Sequence, residues 1–102
     1  MSARLLKKKH RLVLSLYLAG ESPNSVLAKS NLRAAIAHLA KADVTLELVD
    51  ILRDPLRGLR DAVLVTPTLI RVEPMPEQRV VGNLRNRSEL FACLGISEVA
   101  GD

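Results

Sequence analysis

The side chains able to do chemistry are few and scattered. The chain carries a single cysteine, Cys93, and two histidines, His10 and His38. A structural zinc site needs four nitrogen or sulfur ligands in a tetrahedral array, so this inventory predicts no metal site. A lone cysteine forms no internal disulfide. Ser22 and Ser25 stand where a helical pattern begins, but a nucleophilic serine needs a general base and none lies near them in sequence. Helix capping accounts for serine at that place. The carboxylates Glu47, Asp50, Asp54 and Asp61 have no spacing that marks an acid–base pair, and no glycine-rich phosphate loop is present. No cofactor and no catalytic residue are therefore expected. The run Lys7-Lys8-Lys9-His10-Arg11 would release counterions from phosphates. No aromatic stacking surface or recognition motif accompanies it, so residues 1–10 read as a solvated basic arm and no nucleic-acid partner is expected.

At 102 residues the chain is expected to form one domain with one core. Hydrophobic residues make up 48%, with one Tyr, one Phe and no Trp, so the core must be built from aliphatic side chains. No apolar run approaches the roughly 18 residues that cross a bilayer. The N-terminus also lacks the apolar stretch and small-residue cleavage site of a signal peptide. A cytoplasmic protein without a membrane partner is the expectation.

The elements that would position these side chains follow from periodicity. Leu12, Leu14, Leu16 and Leu18 alternate with Val13, Ser15 and Tyr17, a period of two with both faces largely apolar, which predicts a strand covered on both sides. Ser22-Pro23 supplies a cap oxygen and a proline at the first helical position. Ala28, Leu32, Ile36 and Leu39 then make one apolar stripe, with His38 off it. Val44 to Ile51 is a second strand with one wetter face, and a helix between two strands of one sheet implies a parallel, right-handed crossover. Asp54-Pro55 repeats the start signal for a short helix in which Leu56, Leu59 and Val63 form the predicted core stripe. Arg57, Arg60 and Asp61 are then presented outward. Pro67 has no N–H for a sheet ladder, so it belongs at the mouth of a strand running to Val72, and the Thr66–Pro67 peptide is expected to be cis. Glu73-Pro74-Met75-Pro76-Glu77 is a stiff turn, and Arg79 to Val81 must return antiparallel. Asn86 and Glu89 open a last helix with Leu90, Phe91 and Leu94 inward, Cys93 beside them and Gly95 as the stop. Residues 97–102 read as a frayed tail. The order βαβαββα with a mixed sheet is that of the α/β thioredoxin-like fold, but the helix start that would carry a reactive Cys-x-x-Cys holds Glu21-Ser22-Pro23-Asn24-Ser25.

Several stretches in this order resemble the KaiB family of circadian clock proteins: Leu16-Tyr17-Leu18-Ala19-Gly20, Ser22-Pro23-Asn24-Ser25, Val49-Asp50-Ile51-Leu52 with Pro55, Thr66-Pro67-Thr68-Leu69, and Val81-Gly82-Asn83-Leu84 with Asn86-Arg87. The match runs from about Leu12 to Leu94. The resemblance implies a non-enzymatic regulatory protein that binds the ring ATPase KaiC, with KaiA or a KaiB-like sensor kinase as further partners in capture or competition. It also implies two accessible folds, a monomeric thioredoxin-like one and a tetrameric ground-state fold with the C-terminal half rearranged. It places the KaiC-contacting surface in the region of Arg57, Arg60 and Asp61, to which Arg79 is added. Clock members tend to carry an acidic run ending in lysine before the threonine-proline step. Here Leu59-Arg60-Asp61-Ala62 keeps only Asp61, which marks a divergent paralogue. The competing expectation is a thiol or redox protein on the same fold, for which only Cys93 speaks.

Overall fold

A computed structural model describes residues 11–39 and 42–96, so the basic arm and the tail lie outside the described residues. The elements are β1 (Arg11–Leu18), α1 (Pro23–Ile36), β2 (Asp43–Asp50), α2 (Pro55–Arg60), β3 (Thr68–Glu73), β4 (Gln78–Val81) and α3 (Arg87–Leu94). This is the expected order. Among the described residues the sheet has four strands in the order β2-β1-β3-β4, with β1–β2 parallel and the β1–β3 and β3–β4 pairs antiparallel. The alternation in β1 divides the core as its period of two requires. Leu12, Leu14, Leu16 and Leu18 join Ala28, Leu32 and Ala35 of α1 and Leu90, Phe91, Cys93 and Leu94 of α3 in the larger cluster. Tyr17 on the opposite face meets Val49 and Ile70, with Ile51 and Val63 against them, in a smaller one.

Local signals set the ends of most elements. The Ser22 side chain accepts from the Ser25 N–H, and Pro23 follows at the first helical turn. Asn86 Oδ1 accepts from the Glu89 N–H at 3.0 Å, and Gly95 closes α3 at φ 78°, the left-handed conformation that glycine adopts without strain. Asp54 departs from the expectation: it occupies the cap position of α2, yet its carboxylate makes no capping hydrogen bond. The Thr66–Pro67 peptide is cis, as expected, and so are Glu73–Pro74 and Met75–Pro76. The Pro67 carbonyl accepts from the Gly82 N–H at 2.8 Å, and Thr68 Oγ1 donates to the Val65 carbonyl at 2.7 Å, which ties the mouth of β3 to its neighbours.

Candidate functional site

The largest difference between sequence expectation and structure lies in α2. The spacing of Leu56, Leu59 and Val63 predicts a buried stripe, but Leu56 and Leu59 are 73% and 77% exposed. Val63 is partly buried beside the Tyr17 cluster. The helix is turned over, and its inward side is polar: the side chains of Arg57 and Asp61 retain only 22% and 26% of their exposure. The backbone approaches the sheet at Gly58, where an added Cβ would meet Ile51 Cγ2 at 3.3 Å. Glycine in this short helix therefore allows a close approach rather than merely weakening the element.

Partners distant in sequence explain the turn-over. The Arg57 guanidinium forks onto Glu47 of β2, with Nη1–Oε2 and Nη2–Oε1 both 2.8 Å, the bidentate geometry that makes such pairs strong. The Tyr17 hydroxyl, on β1, donates to Asp61 Oδ2. Arg60 donates to the same carboxylate at 3.2 and 3.3 Å. Arg79 reaches across from β4, donating from Nη2 to the Asp61 carbonyl at 2.7 Å and from Nη1 to the Ala62 carbonyl at 3.0 Å, while its Nε donates to Glu77 at 2.8 Å. Arg57 Nε is shielded from solvent without a hydrogen bond and lies 3.7 Å from Asp61 Oδ2.

These contacts fix the charge states. The Arg60 guanidinium, and after it the Tyr17 hydroxyl, hold the Asp61 carboxyl below its usual range. Hydrogen bonding from Arg57 does the same for Glu47. Burial, reinforced by Asp61, pushes the Tyr17 phenol up. The four charged residues expected at a partner surface, Arg57, Arg60, Asp61 and Arg79, are thus brought together around a cleft of about 260 Å³ on the Tyr17 face. Arg57 and Arg79 point into the fold as much as out of it. Thr66 and Pro67 lie apart, at the mouth of β3.

The turn after α2 carries its own strain. The Val63 N–H donates to the Gly58 carbonyl and the Ala62 N–H to the Leu59 carbonyl, the paired closure of a Schellman motif. That motif wants glycine at its left-handed position, and here Ala62 occupies it at φ 56°. Arg79 anchors the same residue through its carbonyl. Around this clamped turn the segment is apolar and open: Leu52, Leu64 and Val65 are 70%, 92% and 52% exposed, and with Leu56 and Leu59 they put five large aliphatic side chains of one short stretch of chain in water. Sequence reasoning missed Tyr17 and Glu47 as members of the network and Leu52, Leu64 and Val65 as members of the surface.

The places where a redox protein would do its chemistry are engaged otherwise. Ser25 is fully buried, its Oγ accepting from the Ala19 N–H at 3.0 Å and bonded to Ser22 Oγ at 2.9 Å. Cys93 is buried among α3 side chains, and burial pushes its thiol up, away from the reactive thiolate. Among the described residues no cluster of His, Cys, Asp and Glu could hold a metal ion, and no helix is long and apolar enough to cross a membrane.

Residues 15–96 match the KaiB domain family. The chain belongs to the KaiB family. It is 38% identical to the circadian clock oscillator protein KaiB of Thermosynechococcus vestitus over 84 residues, which is 82% of this chain and 78% of that one. Against the KaiB of Prochlorococcus marinus strain MIT 9312 the identity is 35% over 97 residues, or 88% of this chain and 92% of the relative. In fold it is similar to the N-terminal domain of Synechococcus elongatus SasA, with a TM-score of 0.70 at 20% identity, covering 93% of this chain and 91% of that one. Mitochondrial thioredoxin 3 from Saccharomyces cerevisiae superposes with a TM-score of 0.69 at 16% identity over 92% and 86% of the two chains. The thioredoxin-like fold expected from the order of elements is the one observed, and the family assigns the protein a clock-type regulatory role.

Proposed function

We propose that this KaiB-family protein is a non-enzymatic binding module for a KaiC-type ring ATPase and that α2 with its flanking turns is the contact surface. The observation that carries the reading is the exposed set Leu52, Leu56, Leu59, Leu64 and Val65. Apolar surface concentrated in this way marks an interaction site, since water disfavours it unless a partner covers it. The charged network beneath gives the set a defined direction, because Arg57–Glu47 and Tyr17–Asp61 fix which side of α2 faces out. The leucines anchor, while Arg60 at the rim supplies steering and register. A buried Cys93 and a capped, fully bonded Ser25 favour this reading over thiol chemistry.

The test mixes the protein with the KaiC-type ATPase of the same genome in the presence of ATP and follows co-elution by size exclusion. Co-elution is expected, weakened by Arg60→Glu and abolished by Leu56→Asp with Leu59→Asp. Failure to co-elute, or binding indifferent to all three substitutions, overturns the assignment. KaiA and a KaiB-like sensor kinase, added in turn, report capture or competition at the same surface.

A further inference from the structure

The groove between α1 and α3 lies on the other side of the sheet from α2 and is not used by the function just proposed. It has a volume of about 200 Å³, and its floor and walls include Ala34, Ala35, Leu84, Leu90 and Phe91. On the α1 side the lining is mostly small, with Ala34 and Ala35 beside Asn31. Its rim is basic. Arg85 and Arg87 line it, and neither has a carboxylate partner among the described residues. Among the described residues most other basic side chains are committed: Arg11 to Glu73, Lys29 to Glu21, Arg53 to Asp50, Arg57 to Glu47, Arg60 to Asp61 and Arg79 to Glu77. Arg71 donates to the carbonyls of Cys93 and Pro76. The walls add no compensating acid, since α1 contains no Asp or Glu and α3 contains only Glu89, which is not among the groove residues.

The groove is also preorganised. The Arg87 guanidinium stacks over the Phe91 ring at 4.6 Å, and the His38 ring meets the same phenyl edge-on at 5.3 Å and 61°. His38, expected to be mere polar-face decoration, is thus a groove wall. An arginine fixed by stacking loses little further freedom when it forks onto a carboxylate. The end of the groove is held by Asn83, whose carbonyl accepts from Asn31 at 2.9 Å, whose Nδ2 donates to Asn24 at 3.1 Å, and whose Oδ1 accepts from the Arg85 N–H at 3.1 Å.

We propose that this groove docks an acidic segment of a partner protein, seating one apolar side chain between α1 and α3 and laying flanking carboxylates against Arg85 and Arg87. Charge complementarity selects the occupant: the surface is cationic, its centre is an aliphatic and aromatic hollow, and the Phe91 phenyl is buried beneath Arg87 rather than offered for stacking nucleobases.

The probe is a fluorescein-labelled synthetic peptide with one phenylalanine flanked on both sides by glutamates, followed by anisotropy. Saturable binding is expected, weakened at least about tenfold by Arg85→Glu with Arg87→Glu and by replacing the peptide phenylalanine with alanine. Arg85→Glu alone leaves the Arg87–Phe91 stack in place. It keeps the test valid if the double variant is unstable, and it should weaken binding on its own. Leu56→Asp with Leu59→Asp should leave peptide binding unchanged, which separates this site from the ATPase surface. Tighter binding of a single-stranded oligodeoxythymidine, equal binding of the alanine peptide, indifference to Arg85→Glu, or a concentration-dependent dimer that the arginine substitutions dissolve would each overturn the proposal.

Discussion

Replacing Leu56 and Leu59 together with alanine distinguishes the observed orientation of α2 from the one its leucine spacing suggests. Full burial of a leucine side chain is worth about 1.5–3 kcal/mol. These two are 73% and 77% exposed, so about a quarter of that value is at stake in each. The pair should therefore cost about 1 kcal/mol, partly offset because alanine is the better helix former. A change of that size lowers the melting temperature by about 4–8 °C in a domain of this length. Were the two leucines the core stripe, each would cost about 2–5 kcal/mol, and the pair would remove most of the stability of a small domain. Urea unfolding followed by circular dichroism reads the difference directly. A loss above about 4 kcal/mol for the pair would refute the turned-over helix. The same variant should fail to co-elute with the ATPase while remaining folded, because the side chains removed are surface anchors and not core.

Four further outcomes follow from the Tyr17 face, from the turn at Ala62 and from Cys93. Tyr17 is the one tyrosine in the chain, so its tyrosinate absorbance is unambiguous and should develop above the ordinary value of about 10 in the folded protein, returning to it on unfolding. Because the folded phenol holds its proton more tightly, this contribution to stability is complete below about pH 10 and is lost as pH rises through the folded value. Asp61 runs the other way: its folded carboxyl is depressed, so its contribution is present above the unfolded value of about 4 and is lost as pH falls through the folded one. Tyr17→Phe should flatten that acid slope and cost about 1–3 kcal/mol in urea unfolding; unchanged stability and slope would deny the hydrogen bond to Asp61 any weight. Ala62→Gly should stabilise by up to about 1 kcal/mol, since the left-handed φ of 56° costs alanine what it does not cost glycine, and a lower melting temperature would contradict this. Cys93 should resist thiol reagents until the protein unfolds, and Cys93→Ala should leave partner binding intact; rapid labelling of the native protein would show the thiol to be accessible.

The fold was legible because its signals are local. Ser22-Pro23, Asn86 with Glu89, and Gly95 act within a few residues, and the two-residue period of β1 needs no knowledge of the partner strands. The orientation of α2 was not legible for the opposite reason. The helix runs only from Pro55 to Arg60, too short for a periodic stripe to decide its facing. What decides it is Tyr17, 44 residues from Asp61, and Glu47, on a neighbouring strand. One signal was present but unread: Arg57 and Asp61 stand four residues apart around Gly58, so their shared face is the one along which the backbone comes closest to the sheet. The charges Arg57, Arg60, Asp61 and Arg79 are expected from sequence at a partner-contacting surface, and the structure gathers them around one cleft. Their mutual pairing could not be seen without the sheet that gathers them.

β1 joins two halves of unequal independence. Toward β2 it is in parallel register from Arg11 with Asp43 to Leu18 with Asp50, so strand, crossover helix and strand close on themselves within one stretch of chain. Toward β3 it pairs only from Val13 with Glu73 to Tyr17 with Thr68, across a register shift between Val13 and Leu14. The stretch after Pro67 is sewn to the first half along that interrupted ladder, by the packing of α3 on α1, by the Asn83 bridges to Asn24 and Asn31, by Arg79 on the Asp61 and Ala62 carbonyls, and by the Arg11–Glu73 pair. A molecule assembled this way has a preferred line of parting. Sub-global opening along it leaves the first half paired and releases β3, β4 and α3 as one piece. In native-state hydrogen exchange the amides of those three elements should share a common opening free energy, below that of β1 and β2.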